Sequence, residues 1–568
     1  MLLNGAVCLS WLQMSQSDAA PDIPRSAFSV SIFRQMWIAS LASNFGRLVQ
    51  AVGAGWLMTT LSTSKQDVAL VQASTALPIM LFSLWAGALA DSRDRRLVML
   101  WAQVFMMVAS LGLAYFAWAG LLTPLLLLAF TFLIGCGSAF YSPAWQASVG
   151  DMVPRKLLPG AIAYNSMGFN VARSVGPAIG GAIVAAAGAA AAFLLNAISY
   201  LGLIVVLIRW KRPVETRTLP REGTLSAISA GLRYAAMSPH IRAVLLRSII
   251  LVPAATGVSA LMPIIAVDLI GGGAIIYGTL LGAFGFGAIT GAFAMGRLRK
   301  SQTTNRIILI ATLALALGTA ATGLSRSLWF TLPALFLTGA GWVLALASFN
   351  VAVQIAAPRW VVARSVAVYQ MVAFGGMVAG SSLLGWLADW AGAGPALLTA
   401  SAVQGVGLLA AFALPLPGAE NLDLDPLDRW QEPETAVPVE SRSGPVVIAI
   451  DYMIAEDRIP AFMAEMIERR RMCRRDGARG WTLLRDLSDP RVWTERYQFP
   501  TWLDYVRSSQ RRTKEDGLVT ARLRDLLLPG HPPRIHRMLE RHPTGDVTLH
   551  ARTFHEPAAS MTDPTRGN

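Results

Sequence analysis

Residues 69–96 read ALVQASTALPIMLFSLWAGALADSRDRR. Residues 69–90 carry no charged side chain, and an α-helix needs about 20 mostly apolar residues to cross a bilayer. Residues 91–96 then contain only serine and charged side chains. An uncharged run that stops abruptly at a charged loop predicts a membrane-spanning helix followed by a short loop at the membrane surface.

The composition around this stretch divides the chain into a long apolar part and a shorter soluble part. Of the 568 residues, 54% are hydrophobic and only 14% are charged, whereas soluble domains have about 25% charged residues. Beyond Pro415 the density of charge rises to that of an ordinary soluble domain. The few acids between Phe28 and Pro415 are Asp67, Asp91, Asp94, Asp151, Glu215, Glu222, Asp268 and Asp389.

Apolar segments of spanning length recur along the first part. They predict an α-helical membrane protein with twelve transmembrane helices in a six-plus-six pseudo-repeat, divided by a long basic loop at residues 209–241. The predicted spans are residues 33–62, 68–90, 97–119, 122–145, 160–186, 190–209, 242–266, 274–296, 305–325, 328–352, 362–387 and 395–414. The predicted domains are a cytoplasmic N-terminal tail (1–27), a first six-helix bundle (28–212), a central cytoplasmic loop (213–240), a second six-helix bundle (241–415), a linker (416–444), a small α+β cytoplasmic domain (445–541) and a flexible tail (542–568).

Arginine and lysine are distributed unevenly between the loops, and positively charged loops stay in the cytoplasm. The odd-numbered loops hold little besides Lys65 and Arg326. We therefore expect a multi-pass protein of the inner (plasma) membrane, with both termini and the central loop in the cytoplasm. The basic residues of the even-numbered loops are Arg93, Arg95, Arg96, Arg155, Lys156, Arg209, Lys211, Arg212, Arg217, Arg221, Arg233, Arg297, Arg299, Lys300, Arg306, Arg359 and Arg364.

The same loop charge accounts for the formal net charge of +14, so we expect no nucleic-acid partner. The basic residues form no stripe interleaved with aromatic side chains. Cys8, Cys136 and Cys473 lie far apart, and the sequence has no GxxxxGK[ST] phosphate-binding loop. We therefore predict no metal, no cofactor and no drive by ATP.

The two predicted halves resemble each other at corresponding loops. VPRKLLPGAIAY (153–164) and APRWVVARSVAVY (357–369) both place a Pro-Arg pair before a tyrosine, and GALADSRDRR (87–96) is matched by GRLRK (296–300). A repeat of six helices is how many secondary transporters build alternating access around a central site.

Gly87-Ala-Leu-Ala-Asp91-Ser-Arg-Asp94-Arg95-Arg96 resembles the signature between helices two and three of the major facilitator superfamily. The resemblance implies that Gly87 allows close helix approach, that Asp91 caps or pairs near a helix end, and that Arg95 and Arg96 clamp a cytoplasmic gate. Asp94 departs from the pattern, which usually has glycine there.

A second signature lies in the predicted fifth span. The segment from Asn170 to Gly181, NVARSVGPAIGG, looks like the Gly-Pro signature of antiporter-type members of that superfamily, with Ala172 where a glycine is often found. It implies a helix-bend motif of Gly176, Pro177, Gly180 and Gly181. Residues 56–64, 69–96 and 165–184 are similar to a bacterial subgroup that includes the enterobactin exporter, and the resemblance covers about residues 28–415. It implies proton-driven transport, although the spans contain no histidine and no mid-span acid to carry the proton.

Two arginines lie at mid-membrane depth and are candidates for substrate binding. Arg47 recurs with Asn44 and Gln50 at three-residue spacing, which puts all three on one helix face. Arg173 lies beside Asn170 in the fifth span. Guanidinium groups match carboxylate, catecholate or phosphate, so these residues are predicted to bind an anionic substrate. The alternative is that they hydrogen-bond backbone carbonyls and fix helix packing.

The soluble part follows an acidic, proline-rich linker that we interpret as a flexible tether. Strands at 446–454, 481–487, 492–499 and 534–539 and helices between them predict the order β-α-β-β-α-β of a ferredoxin-like domain. The domain resembles dimerising modules of the antibiotic-biosynthesis monooxygenase type, which implies self-association. His531, His536 and His542 have no metal-ligand spacing, and no catalytic set is visible.

These features together predict a secondary active transporter that exports a small amphipathic or anionic compound, such as a siderophore, drug or metabolite, by alternating access. The protein is not predicted to be an enzyme. The alternatives are an uptake permease, a transporter fused to a metabolite-modifying enzyme domain, and a membrane sensor without transport. The gate signature of Asp91, Arg95 and Arg96 argues against the sensor.

Overall fold

A computed structural model describes residues 26–154, 157–210, 224–358, 360–416 and 435–540, together with residues 424, 427 and 433. Residues 1–25 of the predicted N-terminal tail, the predicted tail at 542–568 and about half of the linker lie outside these residues. The domain bounds given above remain predictions.

The first half is built of five long helices joined by short loops. They are α1 Ser31–Leu61, α2 Lys65–Ser92, α3 Arg95–Trp118, α4 Pro124–Met152 and α5 Leu158–Arg209. Three of them begin at a side chain that accepts a backbone N–H of the first turn: Ser64 for α2, Asp94 for α3 and Thr123 for α4. Asp94, the residue that departs from the family signature, is therefore a helix cap.

Helix α5 covers two of the predicted spans. Its backbone leaves helical geometry at Gly188, where φ is 78° and ψ is 173°, values that favour glycine. Within the described residues, ten helices are long and apolar enough to cross a membrane. Helix α5 counts as one of the ten, and α1 is not among them. The two parts of α5 and the 31-residue α1 account for the difference from twelve, so the count of twelve remains a prediction.

The second half begins with a short helix in the segment predicted to be the central loop. Helix α6, Thr224–Met237, buries Tyr234 against Ile241, Val361 and Val368. The long helices that follow are α7 Pro239–Ile264, extended by a π-helical turn at Ile265–Leu269, α8 Ala274–Ser301, α9 Thr304–Leu324, α10 Leu328–Ile355, α11 Val362–Ala391 and α12 Ala393–Ala413.

The two halves meet chiefly through two helix pairs, α2 with α11 and α5 with α8. Small residues allow close approach: a Cβ on Gly181 would lie 2.6 Å from the Cα of Gly278, and a Cβ on Gly385 would lie 2.6 Å from the Cβ of Ala69. These contacts lie near the end of the bundle where α2 and α8 begin. We call it the Lys65 end, and the opposite end, where α3 begins, the Arg95 end.

Large apolar side chains cover the outside of the bundle, as a bilayer requires. Trp101, Trp118, Phe293 and Phe412 are each more than 70% exposed. Such a surface is unfavourable in water and favourable against lipid chains.

The C-terminal domain contains a four-stranded antiparallel sheet in the order β2-β3-β1-β4. Its elements are β1 Val446–Met453, α13 Ile459–Arg475, β2 Arg479–Arg485, β3 Val492–Phe499, α14 Trp502–Gln510, α15 Lys514–Asp525 and β4 Arg534–Leu539. The predicted second helix, residues 513–528, corresponds to α15, which Thr513 caps, and α14 before it was not predicted. Alternate residues of β1, including Ile448 and Ile450, pack with Phe462 of α13.

Candidate substrate pathway and gates

Arg47 points from α1 toward α4. Its Nη2 donates to Asn44 Oδ1 at 3.1 Å, and its Nη1 donates to Ser138 Oγ of α4 at 3.4 Å. The guanidinium group is half-buried, and the partners found for it are neutral oxygens. Asn44 and Arg47 therefore act as one polar group on α1, as their spacing predicted.

Arg173 of α5 lies close enough to Arg47 for the two positive charges to repel each other. No carboxylate contributes to its electrostatic surroundings in the described part of the chain. Two like charges held together without a counter-ion are unfavourable in a low-dielectric interior unless water or an anion lies between them. The side chain of Asn170 lies outside what the structure describes.

Gln50 is placed differently from Arg47, although both lie on α1. It is only 4% exposed, and its Oε1 accepts hydrogen bonds from Ser110 Oγ of α3, at 3.2 Å, and from Asn196 Nδ2 of α5. Asn196 also donates to the hydroxyl of Tyr200 at 3.1 Å. This closed network joins three helices, which favours a packing role for Gln50 over the predicted contact with substrate.

The motif predicted to bend the fifth span stays helical in the structure. The non-helical backbone of α5 falls at Gly188 and not at Pro177. The glycines of the motif instead allow close packing: a Cβ on Gly176 would lie 3.1 Å from Leu48 Cβ, and a Cβ on Gly180 would lie 3.1 Å from Val49 Cα. Gly181 makes the corresponding approach to α8. The motif thus joins α5 to α1 and to the second half.

Charged residues of the family signature hold the Arg95 end of the first half together. Arg95 Nη1 contacts both carboxylate oxygens of Asp151 at 3.2 Å and donates to the carbonyl of Ala147 at 3.0 Å. Arg96 donates to the carbonyls of Leu207 and Ile208, both at 2.8 Å, and so covers the C-terminal end of α5. These contacts of the two arginines lie within the first half.

Gly87 makes no close contact, contrary to what the signature implies. A Cβ at this position would meet no atom within 4 Å. Asp91 lies in the last turn of α2, but its side chain is outside what the structure describes. The space at the Cα of Gly87 is therefore open in this conformation, while the halves touch at the Lys65 end.

At the Lys65 end, three charged residues join the halves, and we call them the Lys65 cluster: Lys65, Asp268 and Asp389. Lys65 Nζ lies 2.7 Å from Asp268 Oδ2, which links α2 to the turn after α7. Asp389 of α11 accepts from Ser64 Oγ at 2.7 Å, from the backbone N–H of Gln66 at 3.1 Å and from that of Lys65. An acid of the second half thus caps a helix of the first half.

The sequence reading located these residues near the outer side but did not pair them. Lys65 is one of two basic residues in the odd-numbered loops, and Asp268 and Asp389 are the acids that close two spans of the other half. The sequence did contain a signal for this pairing, because these opposite charges lie in loops predicted to be on the same, outer side of the membrane.

The C-terminal domain contacts the Arg95 end of the second half, which the expectation of a flexible tether did not foresee. Arg233 Nε of α6 donates to the carbonyl of Arg475 at 3.2 Å, and the guanidinium of Arg475 lies 5.2 Å from the ring of Tyr234. The guanidinium of Arg511 lies 4.3 Å from the ring centroid of Trp360, in the loop between α10 and α11. Both are cation–π contacts with the bundle.

Arg475 is held in place by two carboxylates of its own domain. It contacts Asp476 and Asp516, each at 2.9 Å, and all three side chains are largely buried. Burial raises the pKa of the Asp476 carboxyl, while the charge of Arg475 opposes that rise. The contact to Tyr234 is therefore presented by a rigid group.

A bundle in two halves, with ion pairs at both ends and basic side chains inside, defines a polytopic membrane transporter. The family model described as transmembrane secretion effector matches residues 23–544, so the chain belongs to this family of major facilitator transporters. Members of the family are transporters rather than enzymes.

Two characterised relatives are similar to parts of the chain. The staphyloferrin A transporter of Staphylococcus aureus is 25% identical over 41% of this chain and 59% of its own length. The multidrug efflux pump Tap of Mycobacterium tuberculosis is 28% identical over 34% of this chain and 49% of its own length. The chain thus spans about half to three-fifths of the curated relatives it matches.

Solved structures share the fold of the membrane part. A bacterial homolog of the human lysosomal transporter Spinster, inward-facing and occupied, aligns over 69% of this chain and 97% of its own, with a TM-score of 0.56 and 15% identity. A POT family transporter bound to a thioalcohol-conjugated peptide aligns over 67% of this chain and 95% of its own, with a TM-score of 0.55 and 14% identity.

Proposed function

We propose that the protein exports a small anionic or amphipathic compound by alternating access between the two halves of its bundle. The observation that carries the proposal is the pair of Arg47 and Arg173, two like charges inside the bundle without a carboxylate among the partners described for them. An anion entering between them would relieve their repulsion and accept charge-assisted hydrogen bonds.

Contacts at the two ends of the bundle support alternating access. The Lys65 cluster joins the halves at one end, and the open surface at Gly87 is at the other. We infer that this is the inward-open state, with the Lys65 end outside the cell and closed. In the other state the halves would separate at the Lys65 cluster and approach each other at Gly87.

The direction of transport and the substrate class rest on the relatives. One is named for a siderophore, staphyloferrin A, and another for efflux of several drugs. Export of a siderophore, drug or metabolite fits both names and the arginine pair. Uptake by the same fold is the competing direction.

The decisive experiment compares metabolites inside and outside cells that have the gene, lack it, or carry Asp91→Asn. An exporter predicts a compound depleted from the medium and retained in cells in both the deletion and the variant. A compound depleted from the cells and left in the medium would establish uptake instead. If the amounts of all compounds were the same with and without the gene, the proposal of substrate transport would lose its basis.

The orientation is tested separately with reporter fusions. We propose that the termini and the central loop are cytoplasmic, because the Arg95 end carries the basic loops. A fusion at residue 440 should be active with a cytoplasmic reporter and a fusion at residue 63 with a periplasmic one. Periplasmic activity at residue 440 would overturn the orientation and the even number of spans.

Proton coupling is proposed on likeness to the superfamily. In proteoliposomes, efflux of the identified compound should rise with an imposed proton gradient and fall to the passive rate when an ionophore dissipates it. Equal rates under both conditions would contradict proton coupling without affecting the assignment as a transporter.

We also propose that the C-terminal domain is ferredoxin-like and associates with a second copy of itself. The strand order β2-β3-β1-β4, all antiparallel, supports the fold. Leu484 and Met538, 50% and 47% exposed, lie on the sheet and give self-association an apolar surface. The mass of the detergent-solubilised protein should correspond to a dimer, and Leu484→Lys should reduce it to a monomer.

A further inference from the structure

The C-terminal domain contains a cleft that the transport function does not use. It lies between the sheet and the helices α14 and α15, and its volume is about 150 Å³. Ile448, Ile450 and Leu523, each at most 5% exposed, form part of its inner wall with Leu527. This part of the wall is apolar, and Tyr452, Tyr497 and Arg469 line the cleft beside it.

The floor of the cleft is electrically neutral although it contains an arginine. Arg469 is 3% exposed and contacts the buried carboxylate of Glu495 at 3.3 Å. The same carboxylate accepts from the hydroxyl of Tyr452 and from the indole N–H of Trp481, both at 2.8 Å. The charge of Glu495 is thus satisfied within the domain, and the pair leaves no net charge at the floor.

The mouth of the cleft is positive. Arg512, Arg524 and Arg537 line it, and no acid is among the described residues that line the cleft. Arg537 Nε donates to the hydroxyl of Tyr505 at 2.9 Å, which fixes its position at the edge of β4. The buried acids Asp476 and Asp516 are bound by Arg475, and the charge of Arg512 also acts on Asp476.

The volume limits what such a cleft can hold. A cavity of about 150 Å³ accommodates one benzene-sized ring. An apolar wall in a cleft of this size, below three arginines, matches a flat ring that carries a carboxylate, since guanidinium groups bind carboxylates in a planar fork. Isolated surface arginines would bind any anion weakly and would show no preference for a ring.

We propose that this cleft binds a one-ring aromatic carboxylate, with its ring against Ile448, Ile450 and Leu523 and its carboxylate at Arg512, Arg524 and Arg537. The ligand is bound and not transformed. The site is separate from Arg47 and Arg173 in the bundle, so it stands whether or not the transported compound is an anion.

Helix α14 links the cleft to the membrane part of the protein. Tyr505 and Ser509 face the cleft, whereas Arg511, directly after the helix, lies over Trp360 of the bundle. One short helix therefore borders both the ligand and the contact with the transporter, so occupancy of the cleft should change hydrogen exchange in α14.

The test uses the full-length protein in nanodiscs, with benzoate, benzyl alcohol and inorganic phosphate as probes. Calorimetry should show saturable binding of benzoate, at least tenfold tighter than either other probe. Hydrogen exchange should show protection in α14, α15 and β4. Arg524→Gln with Arg537→Gln should weaken benzoate at least tenfold, since each removes a charge-assisted hydrogen bond.

Two variants serve as controls. Arg496→Gln changes an exposed arginine of β3 on the face of the sheet opposite Glu495 and Tyr497. Arg47→Gln removes the bundle site. Benzoate binding should be unchanged in both. The proposal is overturned by non-saturable binding of benzoate, by equal affinity for phosphate or benzyl alcohol, or by protection confined to the membrane helices.

Discussion

Lys65 Nζ of the first half lies 2.7 Å from Asp268 Oδ2 of the second, and this ion pair closes one end of the bundle. The two side chains are 30% and 36% exposed, so solvent screens the pair. Its effect is to favour one state of a two-state equilibrium rather than to stabilise the fold, because both partners stay within intact halves when the end opens.

Asp268→Asn should therefore shift the population toward the state that is open at the Lys65 end. An exposed ion pair contributes about 0.2–1 kcal/mol, which changes the ratio of states roughly 1.4- to 5-fold. Double electron–electron resonance between spin labels on the two halves at this end should show more of the longer distance. The control is Lys300→Gln, an exposed lysine of α8 at the opposite end.

A charge swap distinguishes the effect of this ion pair from the effects of the neighbouring contacts. Lys65→Asp combined with Asp268→Lys should restore the wild-type distribution in part, whereas each single variant shifts it. An unchanged distribution in the single variants would mean that Asp389 and the glycine contacts hold this end closed without the ion pair.

Gly87→Leu should fold normally and impair transport. A Cβ at this position meets no atom within 4 Å in the present conformation, so the bundle can form around a larger residue. It would obstruct the approach of the halves when the Arg95 end closes, and it should therefore enrich the state described here. Transport assays and thermal unfolding of the purified protein would measure the two effects.

Gly405→Leu is the matched control for this substitution. Gly405 also has nothing within 4 Å, but it lies on α12, which packs against α7, α9 and α11 of its own half. This variant should transport at the wild-type rate. Equal loss of transport in both variants would indicate a general effect of helix bulk and would contradict a role for Gly87 in closure.

Arg47→Gln and Arg173→Gln should each weaken anionic substrates far more than neutral analogues. Losing a charge-assisted hydrogen bond costs about 1.5–3 kcal/mol, roughly ten- to a hundredfold in affinity. Efflux of the identified compound and of its neutral ester from proteoliposomes would measure the difference. Arg34→Gln, on the exposed face of α1, is the control, and an equal loss for both substrates with poor expression would support a packing role.

Much of the membrane fold follows from the sequence because a bilayer imposes simple rules. The uncharged run at residues 69–90 and the basic loop after it are enough to locate α2, and every predicted span coincides with helix. The sequence did not predict helix α6, because this helix is too short to span the membrane. Its stability comes from burying Tyr234 against another helix. The merging of two spans in α5 depends on one dihedral pair at Gly188.

The candidate site was only partly predictable. Three-residue spacing correctly brought Asn44 and Arg47 together, because both lie on one helix face. The same spacing could not show that Gln50 differs from Asn44 and Arg47, because its partners Ser110 and Asn196 come from helices distant in the sequence. Pairing across the halves, as in the Lys65 cluster, likewise depends on tertiary geometry that a helix period does not contain.

The remaining prediction concerns the C-terminal domain. A chain ending at Pro415 should still insert, since every helix of the bundle precedes that residue, and it should still transport. Its states should be distributed differently, because the contacts of Arg475 with Tyr234 and of Arg511 with Trp360 are lost from the Arg95 end of the second half.

Trp360→Ala tests the same contact without removing the domain. Loss of this half-buried cation–π contact is worth about 0.5–2 kcal/mol, so hydrogen exchange in α14 and α6 should rise several-fold while exchange in β1 stays the same. Trp329→Ala, at an 82% exposed tryptophan in the first turn of α10, should leave both helices unchanged. If α14 and α6 exchange at wild-type rates in Trp360→Ala, the domain does not dock through this ring. If the truncated chain inserts but transports nothing, the domain is part of the transport cycle itself and not a docked accessory to it.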